Sequence, residues 1–373
     1  MINYISAESV GKGHPDKICD QIADAILDEL LKKDKDSRVA VEVFATNRLI
    51  VIGGEINTHA YVDVVKIAWS VLFDLGYSEN DFSIVSSVNS QSSEISALVD
   101  HDSEIAAGDQ GIMYGYATNE TANYMPLAIT LAHRFLKVAE RVRKHHQIKE
   151  LKADMKSQVT LAYEEGKPTK IAKLVLALQH QENLDVEKFK KNVKRLIIDP
   201  VVKEFNLNED FEIFINHKGP FSLGGPIADT GLTGRKIIVD TYGGAARHGG
   251  GAFSGKDYSK VDRSGAYAAR WVAKNLVAAG VADKLELQIA YVIGRKTPIS
   301  YYIETFNSEK IAKEKIVEII EKVFDLSVQG IIDQFDMKNI SYKKLAVFGH
   351  VGRSEKKAPW EKLDKVSEIQ ALL

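Results

Sequence analysis

Strand-type and helix-type patterns alternate along almost the whole chain, and this alternation is what most limits the fold. The first clear helix starts at Pro15, a residue suited to a first helical position, with Asp16 in the first turn to complement the helix dipole. Ile18, Ile22, Ile26 and Leu30 then recur every four residues and form one apolar stripe. Arg38 to Phe44 and Arg48 to Ile52 read as paired strands joined at Thr46-Asn47. Val62, Val65, Trp69 and Leu72 mark a second helix, and Phe82 to Val88 a third strand. Helices are expected over Pro126–Lys144, Val186–Val201, Ala266–Ala279 and Ile311–Phe324. Strands are expected over Gln158–Tyr163, Ile171–Leu178, Phe211–Ile215, Lys236–Thr241, Leu285–Ile293 and Ser300–Phe306. The remainder, from Ser327, reads as short and polar. The elements fall into three rough blocks, 1–100, 101–224 and 225–373, each of α+β character.

Asn89 to about Gly115 is polar and carries little periodicity. It exceeds the roughly 12–15 residues usual for a structureless connection, so a functional lid over Asn89–Gly108 is expected. The basic run Arg141 to His146 reads as a solvated helix end rather than a nucleic-acid patch. Lys and Arg number 49 against 51 Asp and Glu, a net charge of −2. That balance argues against nucleic-acid or membrane-surface binding by bulk positive charge. The single Cys19 can form neither an internal disulfide nor a cysteine zinc site, which favours a reducing, cytoplasmic setting. The first residues lack a signal-peptide pattern, and no stretch offers the ~18 apolar residues of a membrane span.

Several segments carry candidate chemistry. Gly11-Lys12-Gly13-His14-Pro15-Asp16-Lys17 opens a helix, where free backbone N–H groups favour an anion such as phosphate. It lacks the third glycine and the long preceding strand of a dinucleotide fingerprint. Gly250 to Lys256 matches G-x-x-x-x-G-K, but Asp257 stands where a P-loop needs Ser or Thr, so that reading is rejected. The surrounding glycines still allow close backbone approach to a ligand, with Arg247, Lys256, Lys260 and Arg263 nearby. Asp229 to Lys236 is a turn delivering Arg235 and Lys236, a bidentate phosphate binder and a point charge. Asp154-Met155-Lys156, Gly53-Gly54-Glu55 with Glu42, and Gly108-Asp109-Gln110-Gly111 are individually weak. No histidine pair has metal-ligand spacing, so oxygen ligands and magnesium are favoured over a His-bound transition metal.

Together these segments closely resemble the methionine adenosyltransferase (S-adenosylmethionine synthetase) family, over about Ser6 to Trp360. Gly13–Lys17, Gly53–Glu55, Gly108–Met113, Asp154–Val159 and the run Asp229–Asp262 carry the likeness. The resemblance implies three similar α+β domains around a pseudo-threefold axis, with sheets packed together and helices outside. It implies transfer of the adenosyl group of ATP to the sulfur of L-methionine, with release and hydrolysis of tripolyphosphate. The alternative is another ATP-dependent kinase or ligase. By resemblance, His14, Lys156, Arg235, Lys256 and Asp262 are catalytic. Asp154, Phe221, Asp229, Lys236, Ala252 and Ile293, with His14, Lys156, Arg235 and Lys256, contact ATP. Glu55, Asp229, Lys260 and Asp109 serve methionine. Asp16 and Asp262 ligate a pair of magnesium ions, and Glu42 helps hold potassium. A homodimer with active sites between subunits is the implied minimum, and many members pair dimers into tetramers. Three positions depart from the family pattern: Ala97 replaces a methionine-contacting Gln, Pro220 precedes Phe221 in place of Arg, and Arg295-Lys296 follows Ile293-Gly294.

Overall fold

The computed structural model describes residues 2–89, 100–101 and 104–373. The expected lid segment and Ala97 fall mainly outside those residues. The elements run β1 (Ile2–Val10), α1 (Pro15–Lys33), β2 (Arg38–Thr46), β3 (Leu49–Asn57), α2 (Val64–Leu75), β4 (Ser83–Asn89), β5 (Asp100–His101), β6 (Glu104–Ile105), β7 (Gly111–Thr118) and α3 (Leu127–Lys144). There follow β8 (Leu151–Glu164), β9 (Lys167–His180), α4 (Val186–Val193), a π-turn over Lys194–Ile198, α5 (Asp199–Glu204), β10 (Glu212–Ile215) and β11 (Gly231–Leu232). The last third holds α6 (Ile237–Asp240), α7 (Val261–Ala278), β12 (Lys284–Tyr291), β13 (Ser300–Glu304), α8 (Lys313–Val323), α9 (Val328–Phe335) and α10 (Val366–Gln370).

One supersecondary plan recurs. A helix leads into an antiparallel hairpin in α1-β2-β3, α3-β8-β9 and α7-β12-β13. In the first two cases a crossover follows, through α2 or through α4 and α5, to a strand parallel to the second hairpin strand. Parallel neighbours need such a crossover because a tight turn cannot reverse the chain twice. The strand preceding each helix leaves for another sheet. β1 pairs with β8, β7 with β12, and β11 with β2, so the strand orders are β1-β8-β9-β10, β7-β12-β13 and β11-β2-β3-β4. The three thirds of the chain thus exchange edge strands in a closed cycle, and the fold is α+β built from three similar domains. No repeat was visible in the residues themselves, because topology repeats without requiring identical side chains.

Helix α1 buries its stripe as the spacing requires: Ile18, Ile22, Ile26 and Leu30 are all essentially inaccessible. Arg141 to His146 closes α3 and leaves its ring and ammonium groups toward solvent, as read. Three expectations need correction. Lys236–Thr241 is not a strand; it holds the helical turn α6, with Val239 and Asp240 buried and Asp240 bonded to Lys17. Tertiary contacts there override the strand preference of Ile237-Ile238-Val239. Gly111–Thr118, partly assigned to a loop, is strand β7. Its Gly115 lies so close to α7 that a Cβ would fall 2.0 Å from the carbonyl carbon of Ala269. The C-terminal stretch is not merely polar surface. Trp360 and Tyr342 are fully buried, and Trp360 stacks on Tyr267 at 3.7 Å. Its acidic Glu361 is also buried, held by Arg270 and Lys274 at 3.1 and 2.8 Å.

Candidate active site

The loop before α1 is clamped against β8. Gly11 N–H donates to the Met155 carbonyl (2.8 Å) and Gly13 N–H to that of Ala153 (3.0 Å). A Cβ on Gly13 would lie 2.4 Å from the Ala153 carbonyl carbon, so only glycine allows this approach. His14 then caps the helix: its Nδ1 accepts the Asp16 N–H at 3.2 Å. The residue is 2 % exposed. Burial, reinforced by the Lys236 ammonium, pushes its pKa down to about 3, against a smaller upward pull from Asp16. His14 is therefore neutral at physiological pH. With Nδ1 accepting, its one ring proton belongs on Nε2.

Asp16 sits two residues on and faces the Asp229–Lys236 turn. Its Oδ1 accepts the Leu232 N–H (3.0 Å), and its Oδ2 accepts from Lys236 Nζ (2.6 Å). Arg235 Nε stands 3.8 Å away, with its side chain largely in solvent. Burial opposes ionisation of Asp16, but the Lys236 hydrogen bond and the Leu232 N–H outweigh it and hold the carboxyl below its usual range. Asp154 comes from β8. Its Oδ2 accepts the Gly225 N–H (2.8 Å), while its buried Oδ1 has no partner. Burial raises its pKa to about 6. Lys156, two residues along the same strand, is exposed and acts on His14 through its charge.

The glycine-rich segment builds the second group. Lys256 Nζ donates to Asp262 Oδ2 at 2.5 Å, across the start of α7. Gly251 packs onto Asp262, and a Cβ there would meet Oδ1 at 2.3 Å. Lys256 also bridges to Ala40 of β2. A groove of ≈ 500 Å³ therefore brings Glu42, Glu55, Ala252 and Lys256 together beside Leu232 and Thr233. Ala252 joins the two groups, for it packs where a Cβ on Gly234 would stand, 2.4 Å from its own Cβ. Lys260 points elsewhere, onto buried Asp257 at 2.5 Å.

The other expected residues are more scattered. Asp109 is exposed beside Gly111, whose Cβ position lies 3.6 Å from Asp262 Oδ1. Asp229 is exposed and accepts only the Thr230 N–H. Phe221 is tied through its N–H to His180 Nε2 at 3.0 Å. Ile293 is exposed after β12, next to Gly294, which bonds Ala107. Among the described residues, no ring contact joins Ile293 to Phe221, and no hydrogen bond or ion pair joins Lys260 to Asp229 or Glu55. Sequence reasoning missed a carboxylate ladder on α1. Asp16, Asp20, Asp24 and Asp28 repeat every four residues, one side of the apolar stripe. They accept the N–H groups of Leu232, Gly234, Gly255 and Tyr342 in turn, so one helix face docks three loops. The four-residue aspartate period was the available signal.

Comparison with known proteins bears on this geometry. Family models described as the S-adenosylmethionine synthetase N-terminal, central and C-terminal domains match residues 3–103, 104–221 and 223–362. This chain belongs to the S-adenosylmethionine synthetase family. It is 56% identical over 369 residues to the S-adenosylmethionine synthase of Mycoplasmopsis pulmonis (strain UAB CTIP), covering 99% of this chain and 98% of that protein. It is 51% identical over 378 residues to the S-adenosylmethionine synthase of Mesoplasma florum, covering 99% and 100%. The corresponding figures for Clostridium botulinum (strain Alaska E43 / Type E3) are 48% over 388 residues, with 99% of each chain covered. Among the described residues, no group of three or more His, Cys, Asp or Glu gathers around a metal position. Asp16 and Asp262 are instead single carboxylates, each already beside a lysine. That donor set fits magnesium, which takes one or two carboxylates together with substrate phosphates and water. No described helix is long and apolar enough to cross a membrane.

Proposed function

We propose that this chain synthesises S-adenosylmethionine from ATP and L-methionine. The methionine sulfur forms a bond to C5′, the C5′–O bond breaks, and tripolyphosphate departs with the electron pair. Water then cleaves the tripolyphosphate to pyrophosphate and phosphate. A neutral thioether needs no deprotonation, so the burden falls on the departing anion, and stabilising developing charge is the usual dominant catalytic term. The observation that carries this reading is His14: a buried, neutral imidazole with a free Nε2–H, under the charge of Lys236 and Lys156, with Arg235 beside the neighbouring Asp16. Such a ring can donate to the leaving O5′ without adding a charge that the neighbouring cations would repel. In this reading Asp154 receives the nucleoside with its open Oδ1, Phe221 stacks on the adenine, and Ile293 and Ala252 complete the nucleotide's surroundings. Lys256, Arg235 and Lys236 hold phosphate oxygens. Glu55, Asp229 and Asp109 orient methionine; Lys260, held on Asp257, is left out of that group.

Asp16 and Asp262 would hold magnesium, and Glu42 would contribute to a potassium site. Bound there, these ions would neutralise phosphate charge. The working unit is proposed as a homodimer, with tetramers as pairs of dimers. Leu232, Phe44, Val51 and Val85 stand opposite one another across β11, β2, β3 and β4, and Phe44 and Val85 are 38 % and 52 % exposed. An exposed apolar row of this kind marks a contact surface, and Glu42 and Glu55 lie on the same face by their even spacing from it. A cytoplasmic setting agrees with the lone, buried Cys19. Incubation with ATP, methionine, magnesium and potassium should give the sulfonium product by mass, with orthophosphate and pyrophosphate. Lys256→Ala should keep the fold and lose at least about tenfold in kcat, as expected for a lost charge on the transition state. Stoichiometric ADP in place of the sulfonium product would move the reading to a kinase.

A further inference from the structure

Behind the loop that presents His14 lies a second cavity of ≈ 330 Å³, which shares no residue with the candidate active site. That volume is at the small end of the range for ligand pockets. Its cations come from four separate parts of the chain: Lys12 before α1, Lys137 on α3, Lys343 and Lys344 after α9, and Arg353 and Lys356 in the C-terminal turn. Asp74 and Glu355 are the acidic groups in its wall, so six cations face two anions, in a protein whose overall charge is −2.

The available cations are ammonium groups. Glu355 is already shared by Lys137 (2.9 Å) and Arg353 (2.7 Å). Asp74 faces Lys144 at 3.9 Å. Three of the other four Arg353 N–H groups go to the carbonyls of Val347, Gly349 and Lys344. No hydrogen bond or ion pair to a described residue engages the Nζ of Lys12, Lys343, Lys344 or Lys356. The cavity also borders Phe348, a bulky residue held at φ 67. Such strain persists only where the surroundings enforce it, and it clusters at ligand sites. Burial, and next the charge of Lys144, lower the Lys12 pKa; burial and Arg353 do the same for Lys137. An anion would relieve both.

We propose that this cavity is a binding site for a small phosphate anion of pyrophosphate size, separate from the catalytic centre. Lysines serve phosphate as point charges, and four of them with no partner among the described residues suit an anion of high charge density better than a lone carboxylate. At roughly 1.5 negative charges per phosphate near neutral pH, two linked phosphates come close to the excess of cations. Lys12 immediately precedes Gly13 and His14, so the bound anion sits directly behind the catalytic loop.

The test is calorimetric titration of the full-length protein with inorganic pyrophosphate in magnesium-free buffer. It is independent of methionine and of turnover, and so of the proposed reaction. The wild type should show a binding component that weakens by about tenfold or more in Lys343→Ala/Lys344→Ala/Lys356→Ala, and that weakens with added KCl. The same component should survive in Lys256→Ala, which alters only the candidate active site. Lys356→Glu alone should weaken it in the same direction, and a matching thermal midpoint should confirm that each variant is folded. An unchanged isotherm in the triple variant would overturn the site. Equally tight binding of citrate would overturn its phosphate character, and loss of the component in Lys256→Ala would assign it to the active site instead.

Discussion

Asp154 has one carboxylate oxygen bonded to the Gly225 N–H and the other buried without a partner. A bare buried acceptor is costly unless a ligand completes it, and a ribose hydroxyl is the donor that the proposed reaction supplies. Burial raises this carboxyl from 3.8 to about 6. As pH rises from about 4 to 6, the unfolded chain gives up the proton first. Asp154 therefore contributes stability below that window and loses it by the time pH passes 6. Function has the opposite sign, because the ionised carboxylate above pH 6 is the better acceptor. The KM for ATP should rise as pH falls from 7 to 5, and Asp154→Asn should flatten that rise while leaving a higher KM throughout. Initial rates across that range decide the matter; an identical rise in the variant would remove Asp154 from nucleotide binding. At this scale Lys156 rested on the family resemblance, whereas His14, Asp16 and Lys256 were legible in the chain as chemistry-bearing types near glycines. The neutrality of His14 was not, because it depends on burial and on Lys236, more than two hundred positions away.

Helix α1 does two jobs with two faces. Its isoleucine stripe enters the core, and the adjacent aspartate face collects loop N–H groups. Asp24 is the ladder's strongest rung. It receives the Gly255 N–H and a two-pronged contact from Arg263, at 2.7 and 2.8 Å, with both side chains fully buried. Arg263 in turn donates to the Phe253 and Lys256 carbonyls, so this pair fixes the segment carrying Lys256. Asp24→Asn should keep an acceptor for Gly255 but leave the guanidinium uncompensated. The expected loss is about 3–5 kcal/mol, measured as a lower denaturant midpoint. Adding Arg263→Met should recover part of it by removing the stranded charge. A wild-type midpoint for the single variant would show that the ladder does not hold the loop. The aspartate period could have been read from the chain. What it binds could not, since the acceptors' partners lie on loops with no periodic signal.

The whole molecule is joined by exchanged strands, so no third of the chain completes its own sheet. The sheet formed by β11, β2, β3 and β4 presents Leu232, Phe44, Val51 and Val85 in one row, with Glu42 and Glu55 on the same face. If that face is the subunit contact, Val85→Arg should shift the protein from dimer to monomer in light scattering. Activity should fall with it, because Glu42 and Glu55 would lose their surroundings. A monomeric wild type, or an active monomeric variant, would refute the arrangement.

The chain by itself determined the α+β character, most helix and strand positions, and the segments that carry the candidate phosphate- and metal-facing side chains. Those features depend on periods of two and of about four, and on residue types within a few positions of one another. Tertiary structure alone decided the strand exchange, the helical turn at Ile237–Asp240, the buried C-terminal Trp360 and the pairing of Asp16 with Lys236. These rest on contacts between distant positions. There, burial and an oppositely charged neighbour outweigh local preference, and no local pattern encodes which neighbour arrives.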